Sequence, residues 1–592
     1  MEDFIVSIFR KLAWFFKIEK WNYLIGVLFL LLVAILNVVP PKIIGNLVQE
    51  ISTRGLTGRS LILSLLILAS VGILQYLFRF IWRARIFGGA ARLEKTLRSR
   101  LFTHYMKMDQ TFYQEHRTGD LMAHATNDLQ AIQQVAGSGI LSFADSIITG
   151  ITTVVAMMTL VDWRLTLLAM IPFPLLAISA GYLGTKIHIA FRKSQAAFSR
   201  LNNKTQESIM GIKVIKSLGQ DKQDTEDFEK LVDQTIKINR KVNMLDALFN
   251  PMTTILIGIS YMITLVLGGS FVVHNVINIG QLVSFISYIT MLIWPMFAIG
   301  NLFNIMERGN ASYDRVNLLL HARSSIIDDK HAVQKRATGD LEFDVKSFTY
   351  PGDEQKSIEN VYFKLLAGNT IGLVGRVGTG KSTLMKLILR EFDDYQGAIT
   401  VGGINIKDYA LNSYLPSLGY VPEESFLFSD TIKNNIKFGD FEATDEEVKE
   451  AAKKSDLYED ILDQPDQFDT EVGEQGVSLS GGQRQRLAIA RALIIKPEVL
   501  LLDDALSAVD GETEHEILQE LRAERKDKTT IIAAHRLSSV MNADEILVLD
   551  DGHVIQRGTH AQLMNETGWY KEMFHRQQME TKIEKEGELR AE

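Results

Sequence analysis

No cysteine occurs in the 592 residues of this chain. That absence excludes structural disulfides and thiolate metal centres, and says nothing more about compartment. Positive charge is not in surplus either: 71 acidic residues against 63 lysines and arginines leave a net charge of −8, which argues against nucleic acid as the main partner. No small-residue cleavage site precedes the first long apolar run, so that run does not read as a cleavable signal. Beyond about Lys330 no apolar run approaches the roughly twenty residues needed to cross a bilayer, whereas before about Asn310 such runs recur. The chain is too long for one hydrophobic core. Its 46% hydrophobic content is therefore an average over a membrane half and a soluble half.

The apolar runs predict six spans, near residues 21–48, 60–82, 135–160, 165–187, 247–273 and 279–306, with residues 1–18 as an amphipathic surface helix. An even number of spans returns the chain to its starting side. Arg83, Arg85, Arg92, Lys95, Arg98 and Arg100 follow the second span, and Lys186, Arg192, Lys193, Arg200 and Lys204 follow the fourth, so both long connections are predicted to be cytoplasmic. The opposite connections are short: Asp162-Trp163-Arg164 and His274-Asn275-Val276-Ile277-Asn278. Helical periodicity continues through the long connections, so the spans are expected to run on as helices beyond the bilayer, each pair closed by a tight turn.

The soluble half carries the chemistry. Gly375-Arg376-Val377-Gly378-Thr379-Gly380-Lys381-Ser382 fits the G-x-x-x-x-G-K-S phosphate loop, between a strand-like Ile371-Gly372-Leu373-Val374 and a helix-like stretch from Leu384. Glycines there let backbone N–H groups curl around phosphates, Lys381 reaches the terminal phosphates, and the Ser382 hydroxyl can ligate Mg²⁺. The expectation is ATP as ligand. About a hundred residues later stands Leu479-Ser480-Gly481-Gly482-Gln483.

Six spans with long intracellular helices, followed by these two motifs, resemble a half-transporter of the ABC exporter family across essentially the whole chain. The resemblance implies a multi-domain fold: a six-helix all-α transmembrane domain of the exporter type (type IV), then an α/β P-loop ABC ATPase domain. The corresponding divisions are an elbow helix over 1–20, a transmembrane domain over 21–325 with two long intracellular loops, a linker over 326–338, a nucleotide-binding domain over 339–577 and a charged tail over 578–592. It implies dimerisation too, because in the family the phosphate loop of one ATPase domain faces the L-S-G-G-Q of another.

Residue by residue, the resemblance gives the phosphate loop from Gly375 to Thr383 to nucleotide binding, with Gly375, Arg376, Val377, Gly378, Thr379, Gly380, Lys381, Ser382 and Thr383. It places Tyr350 on the adenine and gives Ser480, Gly481, Gly482 and Gln483 to the opposing nucleotide. Asp503, closing Val499-Leu500-Leu501-Leu502-Asp503, holds Mg²⁺ through water, together with Ser382. Asp510 contacts the opposite ATPase domain, and His535 senses the γ-phosphate. Phe112 and Tyr113, with Gly211 and Ile212, fall at the turns of the two intracellular loops that couple the domains, and Thr470-Glu471-Val472-Gly473-Glu474 matches the segment that meets such turns.

Two positions depart from the family pattern. Asp504 stands where hydrolytic members carry a glutamate that polarises the attacking water, one methylene short, and a misplacement of about 1 Å costs roughly a hundredfold in rate. Glu423 stands where the family has a glutamine ligand of Mg²⁺; a glutamate can still ligate, with an added charge whose effect has no fixed sign here. With the signature intact, the pattern resembles the degenerate-site subunit of a heterodimeric bacterial multidrug exporter. A second half-transporter, membrane lipids and a lipophilic or cationic substrate are the implied partners; ATP and Mg²⁺ are the implied cofactors; and a bacterial cell membrane, with both termini cytoplasmic, is the implied location. A lipid or peptide exporter, a homodimer, and a nearly non-hydrolytic regulatory subunit remain alternatives. For the substrate path, Asp145 in the third span attracts cations or caps a polar group; Phe285, Tyr288 and Phe297 form an aromatic wall or, as such stripes more often do, pack between helices, and Trp294 stands at the Pro295 kink that can line a cavity. Proline at 172, 174 and 295 predicts kinks.

Overall fold

The computed structural model describes residues 2–53, 55–473, 476 and 478–588. Glu474, in the segment expected beside the signature, and the last four residues of the charged tail lie outside them. The chain divides into two compact units: residues 1–106 with 118–322, and residues 107–117 with 323–592.

The first unit is helical. Six helices are long and apolar enough to cross a membrane: α1 (Lys20–Ser52), α2 (Gly58–Tyr105), α3 (Thr118–Leu160), α4 (Trp163–Met210), α5 (Asp221–Val273) and α6 (Ile279–Leu320). At 1.5 Å per residue, α2 to α6 reach roughly 60–80 Å, twice or more the thickness of a hydrocarbon core. They therefore continue well past the bilayer. A preceding amphipathic helix (Glu2–Lys11) is pinned to α6, because Lys11 Nζ donates to Asn310 Oδ1 at 2.8 Å and pairs with Asp314 at 2.5 Å.

The helices are not uniform. α3 widens into π-helical turns at His124–Asp128 and Val135–Gly139, and α4 is interrupted at Met170 and Ile171 before Pro172 opens its second part. α6 remains helical through Pro295. At the first π turn the buried Asp128 accepts hydrogen bonds from Ser312 Oγ at 2.7 Å and Arg315 Nε at 3.0 Å of α6, and lies 2.6 Å from His124 Nδ1. This fastens α3 to α6.

The second unit is α/β. Its main sheet has six strands in the order β10-β9-β3-β8-β7-β6: β3 (Thr370–Gly375), β6 (Leu418–Val421), β7 (Val499–Asp503), β8 (Thr529–Ala533), β9 (Glu545–Asp550) and β10 (His553–Gly558). All neighbours are parallel except the edge pair β9 and β10. A second, antiparallel sheet has the order β2-β1-β4-β5, from β1 (Leu341–Phe348), β2 (Ile358–Leu365), β4 (Tyr395–Val401) and β5 (Ile404–Asn405). β7 and β8 are buried along their whole length, as central parallel strands with both faces covered must be. The helices α7 (Lys381–Ile388), α8 (Gly481–Ile494), α9 (Gly511–Glu524) and α10 (Trp569–Glu588) complete what the site requires.

Residues 107–117 belong to this second unit. They hold a short helix (Gln110–Glu115) whose N-cap Asp109 accepts from the Phe112 N–H at 3.0 Å and, through its other oxygen, from Ser324 Oγ at 3.1 Å and Ser325 Oγ at 2.6 Å. Burial pushes the Asp109 carboxyl up, but these bonds outweigh it and hold the group below the ordinary carboxylate range.

Candidate functional site

The parallel strands end on one edge of the main sheet, where the chain must turn into helices. β3 runs into the phosphate loop, which opens α7, and the glycines there answer to space as well as torsion. A Cβ on Gly375 would stand 2.2 Å from Leu549 O, and Gly380, at φ +99°, would place one 2.8 Å from Ile358 Cδ1. Only glycine lets the backbone pass so close to its neighbours.

A cavity of about 440 Å³ opens over this loop. Tyr350, Val377, Gly378, Thr379, Gly380, Lys381, Ser382, Thr383, Glu423, Asp503, Asp504 and His535 all line it. Lys381 is buried, and its Nζ donates to the loop carbonyls of Gly375 at 3.0 Å and Arg376 at 2.9 Å. Burial pulls the Lys381 ammonium below its usual range, against the carboxylates of Asp503, Asp504 and Glu423. Asp503, closing β7, is raised chiefly by burial; it accepts from Ser382 Oγ at 3.0 Å and from the Tyr420 hydroxyl at 3.4 Å. Three carboxylates around one lysine leave an excess of negative charge. Among the described residues no group of three or more His, Cys, Asp or Glu forms a protein-only metal site. Ser382 Oγ and the carboxylates of Asp503 and Glu423 are oxygen donors of the kind a cation such as Mg²⁺ takes beside phosphate oxygens.

Tyr350 meets the loop through its hydroxyl, 3.0 Å from Thr383 Oγ1, while its ring is wedged against Phe348 and Phe392 with centroids 5.0 and 5.3 Å away. Asp504 sits just past β7 at φ +48°, a left-handed conformation. Its N–H donates to Ala533 O at 2.8 Å and its Oδ1 accepts from the His535 N–H at 3.2 Å. The short acid is thus tied to the backbone of the histidine loop.

Ser480, Gly481, Gly482, Gln483 and Asp510 do not line this cavity. Ser480 caps α8, accepting from the Gln483 N–H at 3.2 Å while Gln483 Oε1 accepts from the Ser480 N–H at 3.0 Å. Asp510 caps α9, and the backbone N–H of Thr513 leads the bonds that lower its carboxyl. Sequence reasoning did not find Gln485, whose amide joins Ser507 Oγ at 3.0 Å to the Ala508 N–H at 2.9 Å and so ties α8 to the loop before Asp510. Nor did it find Tyr420, although that residue stands three positions before Glu423.

A phosphate-loop α/β unit following six membrane-length helices has known counterparts. Residues 23–296 match the model of the ABC transporter transmembrane region, and residues 358–507 match the ABC transporter model. The chain belongs to the ABC transporter family. It is 42% identical to the probable multidrug resistance ABC transporter ATP-binding/permease protein YheI of Bacillus subtilis, over 97% of this chain and 98% of that one. It is 40% identical to the multidrug resistance-like ATP-binding protein MdlA of Escherichia coli, over 99% of both. Among solved structures, a bacterial Atm1-family ABC exporter with ATP bound matches at a TM-score of 0.75 and 26% identity, covering 94% of this chain and 98% of that one. This ABC transporter is accordingly a multi-pass membrane protein that binds and hydrolyses ATP to drive export, and, like other ABC exporters, it works as a dimer.

The remaining expected residues divide. Phe112 and Tyr113 lie in the second unit and Gly211 and Ile212 in the first, on an exposed turn. Phe285 and Tyr288 follow the packing alternative and not the aromatic wall: both are 0% exposed, packed with Phe173, Ile289 and Leu292, and the Tyr288 hydroxyl donates to Val38 O at 2.9 Å. They are helix packing. Trp294 is 67% exposed, Phe297 rests on Phe249 with centroids 5.7 Å apart, and Asp145 accepts from Thr149 Oγ1 at 3.0 Å within α3.

Proposed function

We propose that this exporter is one half of a heterodimer that moves lipophilic or cationic compounds out of a bacterial cell, with its soluble unit and both termini cytoplasmic. Its own phosphate loop builds a slow ATP site, while its Ser480–Gln483 signature completes a fast site on the partner. The observation that carries this reading is Asp504. A general base must reach its water; this carboxylate is one methylene short, and its Oδ1 is already engaged with the His535 N–H at 3.2 Å. Ser382, Asp503 and Glu423 would hold Mg²⁺, which supplies charge neutralisation on the phosphates; Lys381 would exchange its loop carbonyls for phosphate oxygens, and Tyr350 would stack on the base. The multidrug-resistance names of the relatives support the substrate class.

A homodimer is the competing reading, favoured by the presence of an intact phosphate loop and an intact signature on one chain. A lipid or peptide cargo would use the same machinery, and substrate-stimulated turnover separates these cargoes. The deciding experiment is steady-state ATPase activity of the purified chain, alone and with its partner, before and after Asp504→Glu. The asymmetric reading expects little turnover from the chain alone and a rise of about tenfold or more at its own site on lengthening the acid. Brisk turnover by the unmodified chain alone, with no gain from Asp504→Glu, would overturn it.

A further inference from the structure

α10 is anchored through one stripe. Tyr570 is fully buried, Trp569, Met573 and Phe574 pack against the core beneath the main sheet, and the stripe ends one turn later at the half-buried Gln577. These positions recur at helical spacing, so Gln577 is presented to the body of the unit by the same face that docks the helix. The Tyr570 N–H donates to Gln556 Oε1 at 3.1 Å, which fixes the start of the helix on β10.

What Gln577 meets there is the backbone around the nucleotide-facing histidine. Its Nε2 donates to His535 O at 2.8 Å, and its Oε1 accepts from the Leu537 N–H at 3.0 Å. One amide thus closes a ring with the peptide units on either side of Arg536. From there the chain of bonds runs on: the His535 N–H donates to Asp504 Oδ1 at 3.2 Å, and the Asp504 N–H donates to Ala533 O at 2.8 Å. His535 and Asp504 both line the nucleotide cavity. A side chain on the last docked turn of the C-terminal helix therefore sets the backbone from which the histidine approaches the phosphates.

We propose that Gln577 is a positioning residue for ATP hydrolysis: by bridging His535 O and the Leu537 N–H it fixes the histidine loop in its hydrolytic placement, so that docking of α10 governs the chemical step. It touches no part of the nucleotide. Its loss acts on kcat and spares the affinity for ATP, which is set by the phosphate loop and Tyr350. The proposal rests on ATP hydrolysis by this domain and is independent of whether the two sites of the dimer are equal.

The test uses the full-length transporter in lipid nanodiscs, with its partner half where one is needed, and compares Gln577→Met and Gln577→Glu with their parent in two backgrounds, unmodified and Asp504→Glu. Methionine keeps the length and the apolar packing but makes neither bond. Glutamate keeps the acceptor for the Leu537 N–H and loses the donor to His535 O. Where a partner half is present its phosphate-loop lysine is replaced by alanine, so that kcat reads this chain's own site alone. Both variants are then expected to lower kcat at least about fivefold, with KM for ATP within about twofold of the parent and an unchanged melting temperature. A methionine variant with parental kcat, or a loss of kcat that comes with a matching rise in KM or a fall in melting temperature in both variants, overturns the proposal. Failure of Asp504→Glu to raise turnover overturns the asymmetric-site reading instead, and leaves the comparison at Gln577 intact.

Discussion

Tyr350 has two attachments that single substitutions separate. Its hydroxyl is shared with Thr383, and its ring is set by edge contacts with Phe348 and Phe392. Stacking on a base needs the ring alone and is worth about 1–3 kcal/mol where it has been measured by truncation. Tyr350→Phe is therefore expected to keep the KM for ATP within about twofold, and Tyr350→Ala to raise it about tenfold, as read from steady-state ATPase titrations. At this scale the sequence was most legible where chemistry demands a fixed spacing. The phosphate loop could be read from its own spacing, Asp503 and His535 only through the family resemblance, and all of them line the same cavity. Gln577, Gln485 and the Asp109 contacts could not be, since each depends on which distant backbone folds against it. Wall and packing stayed open for Phe285 and Tyr288 for the same reason: an aromatic residue on a membrane helix looks alike from the sequence whether a neighbouring helix covers it or not.

Among elements, the short helix Gln110–Glu115 is the one that its own sequence could least support. Six residues are below the length at which an isolated helix is stable. It is held instead by the Asp109 cap and by the bonds from Ser324 and Ser325 to the same carboxylate. Losing an N-cap costs about 1 kcal/mol, and the bonds to Ser324 and Ser325 go with it, so Asp109→Ala is expected to lower the stability of the ATPase unit by about 1–2 kcal/mol, measured by calorimetry of the intact transporter. The folded carboxyl lies below its ordinary value, so its contribution is complete above the unfolded pKa of about 3.9 and disappears as pH falls through the lower folded value. The difference between the parent and Asp109→Ala should consequently be constant from neutral pH down to about pH 4 and shrink only below it. The six long helices, by contrast, were plain from hydropathy, because a bilayer requires an apolar stretch of nearly fixed length. The π turns of α3 were not; the first of them ends at Asp128, whose partners Ser312 and Arg315 lie far along the chain.

For the whole molecule, the open question is whether the two halves of the dimer do equal work, and this chain offers one handle on each site. Lys381 serves the site on its own phosphate loop. Gly481 opens α8, where the helix N-terminus is suited to a phosphate from the other subunit. An aspartate at 481 repels such a phosphate, yet it should leave the fold intact: the nearest atom to a new Cβ is Ala508 Cβ at 3.4 Å, an ordinary contact, and a negative charge in the first turn suits the helix dipole. Lys381→Ala and Gly481→Asp can then be compared in the purified dimer. If this chain's own site is the slow one, Lys381→Ala should reduce total ATP turnover by less than about threefold, whereas Gly481→Asp should reduce it by at least about a hundredfold, because it disables the site that carries the flux. In a homodimer each substitution strikes both sites equally, and the two losses would be of the same size. Equal losses would therefore overturn the asymmetric reading even if Asp504→Glu raised turnover, since a longer acid can speed any site that carries Asp504.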